Sequence, residues 1–499
     1  MNDNPLRSIV IAGGGVSGWV AAAATAHELR DLPVTIRVVE DPDAPPSGLA
    51  TPALPLTQAF HRFLGIEAPA VIRATGGTFR LGTRFIDWGA PGMDEIHPVG
   101  AHGASIEYLP FHQFATRMRL AGDPTPYGAY CLPAAAARAG RFAPPASDPG
   151  SILSTMAYSL NLDLDRYARI MREYAVGRGV QVVAGRVASV ALKGEDGFIE
   201  SLSLADGGGV QGDLFIDCTG EGSVLLGNAL GVDYEDWGDL LPGDRLAVLR
   251  VSAGKDRPSC STVRARDEGW THVVPLQGAD HEVFVYDSRL TSDEQAASLW
   301  PADHRDDVAF RPIRPGRRRV FWKRNCVALG LAAGAFQPLD GTGLSTVHNG
   351  IMRLMGLLPL RDCDPLLAEE YNRLTELEYQ NIRDFQALHY RLAGRAGQGF
   401  WRLAADDALP GTLDHRMRLF RVHGQVALHE EETFSEANWA AAWIGHGAWP
   451  EGYDPVLDSY DFARLKQRFK TMRELIRDAV PRMPSHASFI AANRLTAPA

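Results

Sequence analysis

The sequence predicts an α/β fold built on an N-terminal βαβ unit, with an interleaved second region and a helical C-terminal part. Three observations carry this. An apolar run, Ser8 to Ala12, leads straight into the glycine-rich turn Gly13 to Gly18 and an alanine-rich helical stretch. The next strand, Pro33 to Val39, ends at the acidic Glu40. The segments Leu366 to Leu392 and Tyr460 to Ala479 then repeat apolar residues at helical spacing.

Gly13, Gly15 and Gly18 fit G-x-G-x-x-G, in which the glycines serve a tight turn, close backbone approach to a pyrophosphate and helix-to-sheet packing. The phosphate charge would sit at the helix N-terminus, where free amides point toward it. Glu40 follows Gly18 by about twenty residues, the placement of a ribose-binding acid. This unit alone does not distinguish FAD from NAD, and no second glycine fingerprint for a nicotinamide is evident.

Further along, Thr78 to Trp88 reads as a strand, Leu162 to Ala175 as a helix, and Val180 to Ala184 and Asp213 to Cys218 as strands returning to the first region. Ala247 to Ser252, Thr271 to Pro275 and Glu282 to Asp287 suggest a substrate-side sheet, and Cys326 to Leu331 a late buried strand before a helix near Leu344. Ala135 to Pro149 reads as compositionally loose. The expected division is residues 1–345, a discontinuous cofactor-binding and substrate-sheet region, and 346–499, a mainly helical substrate-side region.

The 499 residues are 45% hydrophobic, enough for two or three structural regions. With 50 basic and 60 acidic residues the net charge is -10, which argues against nonspecific nucleic-acid binding. The five cysteines are too widely spaced for a thiol-redox or zinc motif, so a reduced, cytoplasmic setting is expected and no metal site is read. No leader or membrane-spanning stretch is read either. His97 and His102 lie in a proline- and glycine-containing stretch and are read as surface-loop residues.

The chain resembles the flavin-dependent tryptophan halogenases. The resemblance rests on Val10-Ile11-Ala12-Gly13-Gly14-Gly15-Val16-Ser17-Gly18-Trp19, on Phe215-Ile216-Asp217-Cys218-Thr219-Gly220, and on Asn325 to Gly330 leading into Gln337 to Gly343. Weaker matches at Asp384-Phe385, His389-Tyr390, Phe400-Trp401-Arg402 and Gly445 to Pro450 extend it over nearly the whole chain. It implies FAD held by Gly13, Gly15, Gly18, Glu40, Asp217, Gly220 and Gly330, and reduced by a separate flavin reductase. It implies halide contacts at Thr342 and Gly343. Reduced FAD and oxygen would convert halide to hypohalous acid, which travels through a tunnel to an electron-rich aromatic or indole substrate. Trp439, Trp443 and Trp449 are the substrate-pocket candidates.

Four departures bear on that expectation. Arg80 occupies the position of the family's essential lysine, and Asp340 that of its glutamate. An arginine stays protonated and presents a rigid donor fork, so it replaces a nucleophilic amine poorly. His272 replaces the second tryptophan of the Trp-x-Trp-x-Ile-Pro signature, here Trp270 to Pro275, and Leu49 stands in the acidic position of the flavin strap Ser47 to Pro52. Two other readings therefore stay open: a flavin monooxygenase that transfers oxygen without halogenation, and a flavin-binding protein without turnover.

Overall fold

The computed structural model describes residues 4–254, 257–395, 397, 399–405 and 408–497. The chain separates into two compact units, each assembled from three stretches: 1–75, 162–237 and 314–380 in the first, 76–161, 238–313 and 381–499 in the second. The two units alternate along the chain, and the expected boundary between 345 and 346 falls inside the helix Thr342–Gly356. The alternation accords with the expected interleaving; its boundaries were not legible, because both units carry apolar strands and helices of similar pattern.

The first unit centres on a six-stranded sheet in the order Trp322–Lys323, Cys326–Ala328, Leu214–Asp217, Ser8–Ala12, Thr35–Glu40, Gln181–Ala184. All neighbours are parallel except the edge pair Trp322–Lys323 and Cys326–Ala328. A parallel sheet buried on both faces needs continuous apolar strands, and Ile9, Val10 and Ile11 are fully buried. The helix Val16–Glu28 packs against Leu164–Val176 and Thr342–Gly356. Its run of alanines, buried from Ala21 to Ala24, is what lets helices approach so closely.

The second unit holds a seven-stranded sheet: Ala309–Pro312, Arg245–Ser252, Ala279–Tyr286, Gly269–Pro275, Ser261–Arg266, Gly82–Ile86, Asp94–Pro98. It is antiparallel apart from the pair Ser261–Arg266 and Gly82–Ile86. Helices Phe111–Leu120, Gly411–His423, Glu436–Gly445 and Phe462–Ala479 belong to the same unit.

Most expected elements recur with small changes of boundary, and three differ. Thr78 to Trp88 is two strands, Thr78–Arg80 and Gly82–Ile86, because Leu81 turns its amide to Ser259 O and its carbonyl to Val99 N. Leu162 to Ala175 opens as the end of a strand, Ser159–Asp163. Asp163 then caps the helix Leu164–Val176 by accepting from Arg166 N. The stretch expected to be loose, Ala135 to Pro149, opens inside a short helix, Leu132–Arg138, started by Pro133. Among the described residues, no helix is long and apolar enough to cross a membrane. All five cysteines are free and buried.

Candidate active site

In the first unit, a cavity of about 810 Å³ is lined by Gly13, Gly14, Gly15, Val16, Trp19, Glu40, Ser47, Arg169, Arg172, Arg186 and Thr219. The glycine turn forms one wall. Gly13 has φ +115°, and a Cβ there would lie 2.2 Å from Cys218 O; one on Gly18 would lie 1.8 Å from Gly13 O. Gly15 meets nothing within 4 Å, which leaves its backbone open for a ligand to approach. The helix Val16–Glu28 begins with no side-chain cap and no acid in its first turn, so its leading amides are available to an anion.

Glu40 closes the neighbouring strand and lines the same cavity. Its Oε1 accepts from Trp19 Nε1 at 3.0 Å and its Oε2 from Arg172 Nε at 3.2 Å. Each carboxylate oxygen keeps a further lone pair, so a ribose hydroxyl could still be accepted. The residues present thus fit the adenosine and pyrophosphate portion of a dinucleotide.

Asp217, which the resemblance places among the cofactor residues, is fully buried and turned inward. Its Oδ1 accepts from Thr219 N and Oγ1, and its Oδ2 from Ser223 Oγ, Leu225 N and Leu226 N. With both oxygens engaged, it shapes the loop after its strand, including Gly220 at φ +75° and Ser223 at φ +40°. Gly330 is required by packing: a Cβ would stand 2.1 Å from Ser17 Oγ on the first helix.

The strap Ser47 to Pro52 is fastened to the helix Leu164–Val176. Asp165 accepts from Ser47 N and Gly48 N, both at 2.8 Å, and Leu164 N donates to Leu49 O at 3.0 Å. Its far end reaches Gly341, where a Cβ would lie 1.7 Å from Pro52 O. Gly341, at φ +74°, is the N-cap of Thr342–Gly356, and this helix also starts without a side-chain cap or an acid in its first turn. Thr342 is fully buried, and its Oγ1 has no hydrogen-bond partner. A buried hydroxyl with nothing to bond, beside uncapped helix amides, is suited to an anion. Gly343 meets no heavy atom within 4 Å, and the Asp340 carboxylate just before the helix is buried.

In the second unit, Arg80 is buried among hydroxyls. Nη1 donates to Ser159 Oγ at 3.1 Å and Nη2 to Thr83 Oγ1 at 2.6 Å; Thr83 in turn lies 3.3 Å from Ser261 Oγ. The antiparallel register of Thr78–Arg80 with Ser159–Asp163 sets Arg80 opposite Ser159. Burial pushes the Cys260 thiol up to about 11, while the Arg84 and Arg80 guanidiniums pull it down. His272 sits mid-sheet at 1% exposure, between Val263 and Val283, and Trp270 Nε1 donates to Tyr390 OH at 2.8 Å.

The chain belongs to the tryptophan halogenase family of flavin-dependent halogenases. The family model, described as tryptophan halogenase, matches residues 8–461. BrvH, a flavin-dependent halogenase from Brevundimonas sp. BAL3, is 37% identical over 98% of this chain and 99% of its own, with a TM-score of 0.92. Xcc4156, a flavin-dependent halogenase from Xanthomonas campestris, is 35% identical over 99% of each chain, also at 0.92. The 7-chloro-L-tryptophan 6-halogenase KtzR of Kutzneria sp. is 28% identical over 97% of this chain and 99% of its own length. The fold is therefore that of the flavin-dependent halogenases and the chain is an oxidoreductase-like enzyme; membership implies FAD as its cofactor.

Within this family member the aromatic candidates separate. Trp439 and Trp443 are buried in helical packing: Trp439 lies edge-on to Phe385 with the Arg416 guanidinium 4.4 Å from its ring centre, and Trp443 stacks on Phe420 at 4.2 Å. Trp449 lines a cavity of about 260 Å³, which it shares with Tyr127, Ile96, Arg119 and Ile444. His102 lines the same cavity. It was expected on a surface loop but is buried and stacked on Tyr127 at 4.0 Å. Burial holds its imidazole down to about 3, so it stays neutral. His97 is likewise drawn inward, with its Nε2 buried. Neither was legible locally, because their neighbours come from segments some tens to hundreds of residues away.

Proposed function

We propose that this protein uses FAD, reduced by a separate flavin reductase, to halogenate an electron-rich aromatic small molecule, with indoles as the first substrates to try. The carrying observation is the start of Thr342–Gly356: a fully buried threonine hydroxyl without a partner beside helix amides that no side chain caps. That arrangement suits a small anion, and a halide is the anion this chemistry needs.

Bound FAD would supply oxygen activation. The chain's own residues divide the remaining work. Gly13, Gly15 and Gly18 let the backbone close on the pyrophosphate, Glu40 accepts from the ribose, and Gly220 and Gly330 hold the turns that border the cofactor. Asp217 acts indirectly, by fixing the Thr219 to Leu226 loop. Thr342 Oγ1 and the amide of Gly343 hold the halide. Arg80 remains protonated and donates hydrogen bonds to the oxidant, anchored by Thr83 and Ser159; it forms no covalent adduct. Asp340 supplies the carboxylate that orients the reacting substrate. Trp449, His102 and Tyr127 offer an aromatic-lined slot for the substrate ring, and a neutral His102 can stack without charge.

A second reading, oxygen transfer without halogenation, is favoured by one observation: the position of the family's lysine carries an arginine. The test is mass spectrometry of products from purified protein given reduced FAD, oxygen, bromide and a panel of indoles and phenols, with catalase present. Halogenation is expected to leave an enzyme-dependent bromine isotope pair on a substrate. A gain of one oxygen without bromine overturns it in favour of the monooxygenase.

A further inference from the structure

Three histidines far apart in sequence converge in the second unit. His97 lies on the edge strand Asp94–Pro98, His389 in the last turn of Pro365–Arg391, and His446 is the C-cap of Glu436–Gly445. One ring nitrogen of each lies within 4.8 Å of the other two. His389 Nδ1 and His446 Nε2 are 2.8 Å apart, so a single proton is shared between two lone pairs. His97 Nε2 is buried with no hydrogen-bond partner.

We propose that His97, His389 and His446 form a binding site for a divalent cation of the Zn²⁺ class. Three imidazoles are a recognised Zn²⁺ ligand set, with bonds of about 2.0 to 2.1 Å and tetrahedral geometry. That geometry sets nitrogens about 3.3 Å apart; His389 Nδ1 and His446 Nε2 stand at 2.8 Å, and the three ligand atoms lie within 4.8 Å of one another, a spread that one bound ion would draw in.

The surroundings hold the rings in place. Phe85 stacks on His389 at 5.0 Å and 10°, lies 4.3 Å from His97, and meets His446 edge-on at 5.0 Å. Trp88 Nε1 donates to the His389 carbonyl at 2.7 Å, fixing the backbone behind that ligand. Gly445 leaves room for the third ring, since a Cβ there would stand 2.5 Å from His97 Nε2. Three imidazoles leave one tetrahedral position for a water ligand, and the 260 Å³ cavity is lined by Ile96, Gly445 and Gly447, sequence neighbours of His97 and His446. The site is independent of the flavin reading: it would clip a strand and two helix ends together whatever the enzyme's substrate.

The test uses the full chain after chelator treatment, titrated with CoCl₂ and then ZnCl₂. One Co²⁺ per chain should appear with the intense visible d–d bands of a four-coordinate ion and be displaced by Zn²⁺, which should also raise the thermal midpoint. His446→Asn should weaken Zn²⁺ binding at least tenfold while the metal-free unfolding midpoint and FAD binding stay near those of the parent; Gly445→Ala, whose Cβ would press on His97, should weaken it likewise but also lower the metal-free midpoint. Absence of four-coordinate bands in the parent overturns the proposal, and so do bands unchanged in both variants. If a variant fails to fold, the parent's spectrum alone decides.

Discussion

The two units place their chemistry in opposite ways. In the first, the key features belong to the backbone: glycines whose Cβ would strike a carbonyl, and two helices that begin without side-chain caps. In the second, they belong to side chains gathered from distant segments, such as Arg80 among hydroxyls and the histidines around Phe85. Backbone sites tolerate almost no added atom yet accept varied neighbours. Side-chain sites depend instead on which residues the fold brings together, as Arg80 with Ser159 and Thr83 shows.

The strongest way to break this contrast is Gly18→Ala. A Cβ 1.8 Å from Gly13 O forces the turn apart, and FAD binding followed by flavin fluorescence should be lost, against a packing cost of about 1–3 kcal/mol. An FAD affinity within threefold of the parent would show that the turn is not the cradle.

Acid should discriminate between the units next. His97 and His102 are held down to about 3 and His112 and His486 to about 4, with His389 and His446 also lowered, all by burial in the second unit. The first unit has His61, held down to about 4, and His348. Because the unfolded chain takes up these protons near pH 6.5 and the folded chain does not, the stabilisation is complete above pH 6.5 and falls as pH drops toward the folded values. Each such histidine contributes about 1.4 kcal/mol per pH unit in that window. Hydrogen exchange read peptide by peptide should loosen first in the second unit between pH 7.5 and 5.5; uniform loosening would contradict this assignment.

Arg80→Ala should lower turnover about a hundredfold, the scale of losing one preorganised donor, while leaving FAD affinity unchanged. Arg80→Lys is the sharper probe: higher bromination would mean the arginine limits the reaction, and lower bromination that its hydroxyl-anchored fork carries it. Thr342→Val removes one hydroxyl at constant shape and should raise the apparent KM for bromide up to about tenfold, the worth of one hydrogen bond. The smallest effect is expected from Leu49→Glu, a change of a few fold in the rate of FAD release measured by stopped flow, because Asp165 already fastens the strap.

What the sequence revealed follows the same division. Gly13 to Gly18, Glu40 and the parallel strands could be read because a turn, a helix start and a strand end are adjacent along the chain. Thr342 and Gly343 came from resemblance alone. Their physical signature, a buried hydroxyl without a partner at an uncapped helix start, is visible only in the folded chain. Asp217 could be read as important but not for what it does, since its donors lie two to nine residues ahead, across a 3-10 turn and the start of a π-helix that the sequence does not announce. The convergence of His97, His389 and His446 had no local signal, being set by the strand and helix ends that carry them.

The contact between Gly341 and Pro52 carries a mechanical consequence. Because the strap's backbone leaves no space for even a methyl group at the start of Thr342–Gly356, strap and helix share a hinge without slack. A displacement of the strap at Pro52 would therefore be transmitted at once to the first turn of that helix, where Thr342 and Gly343 lie.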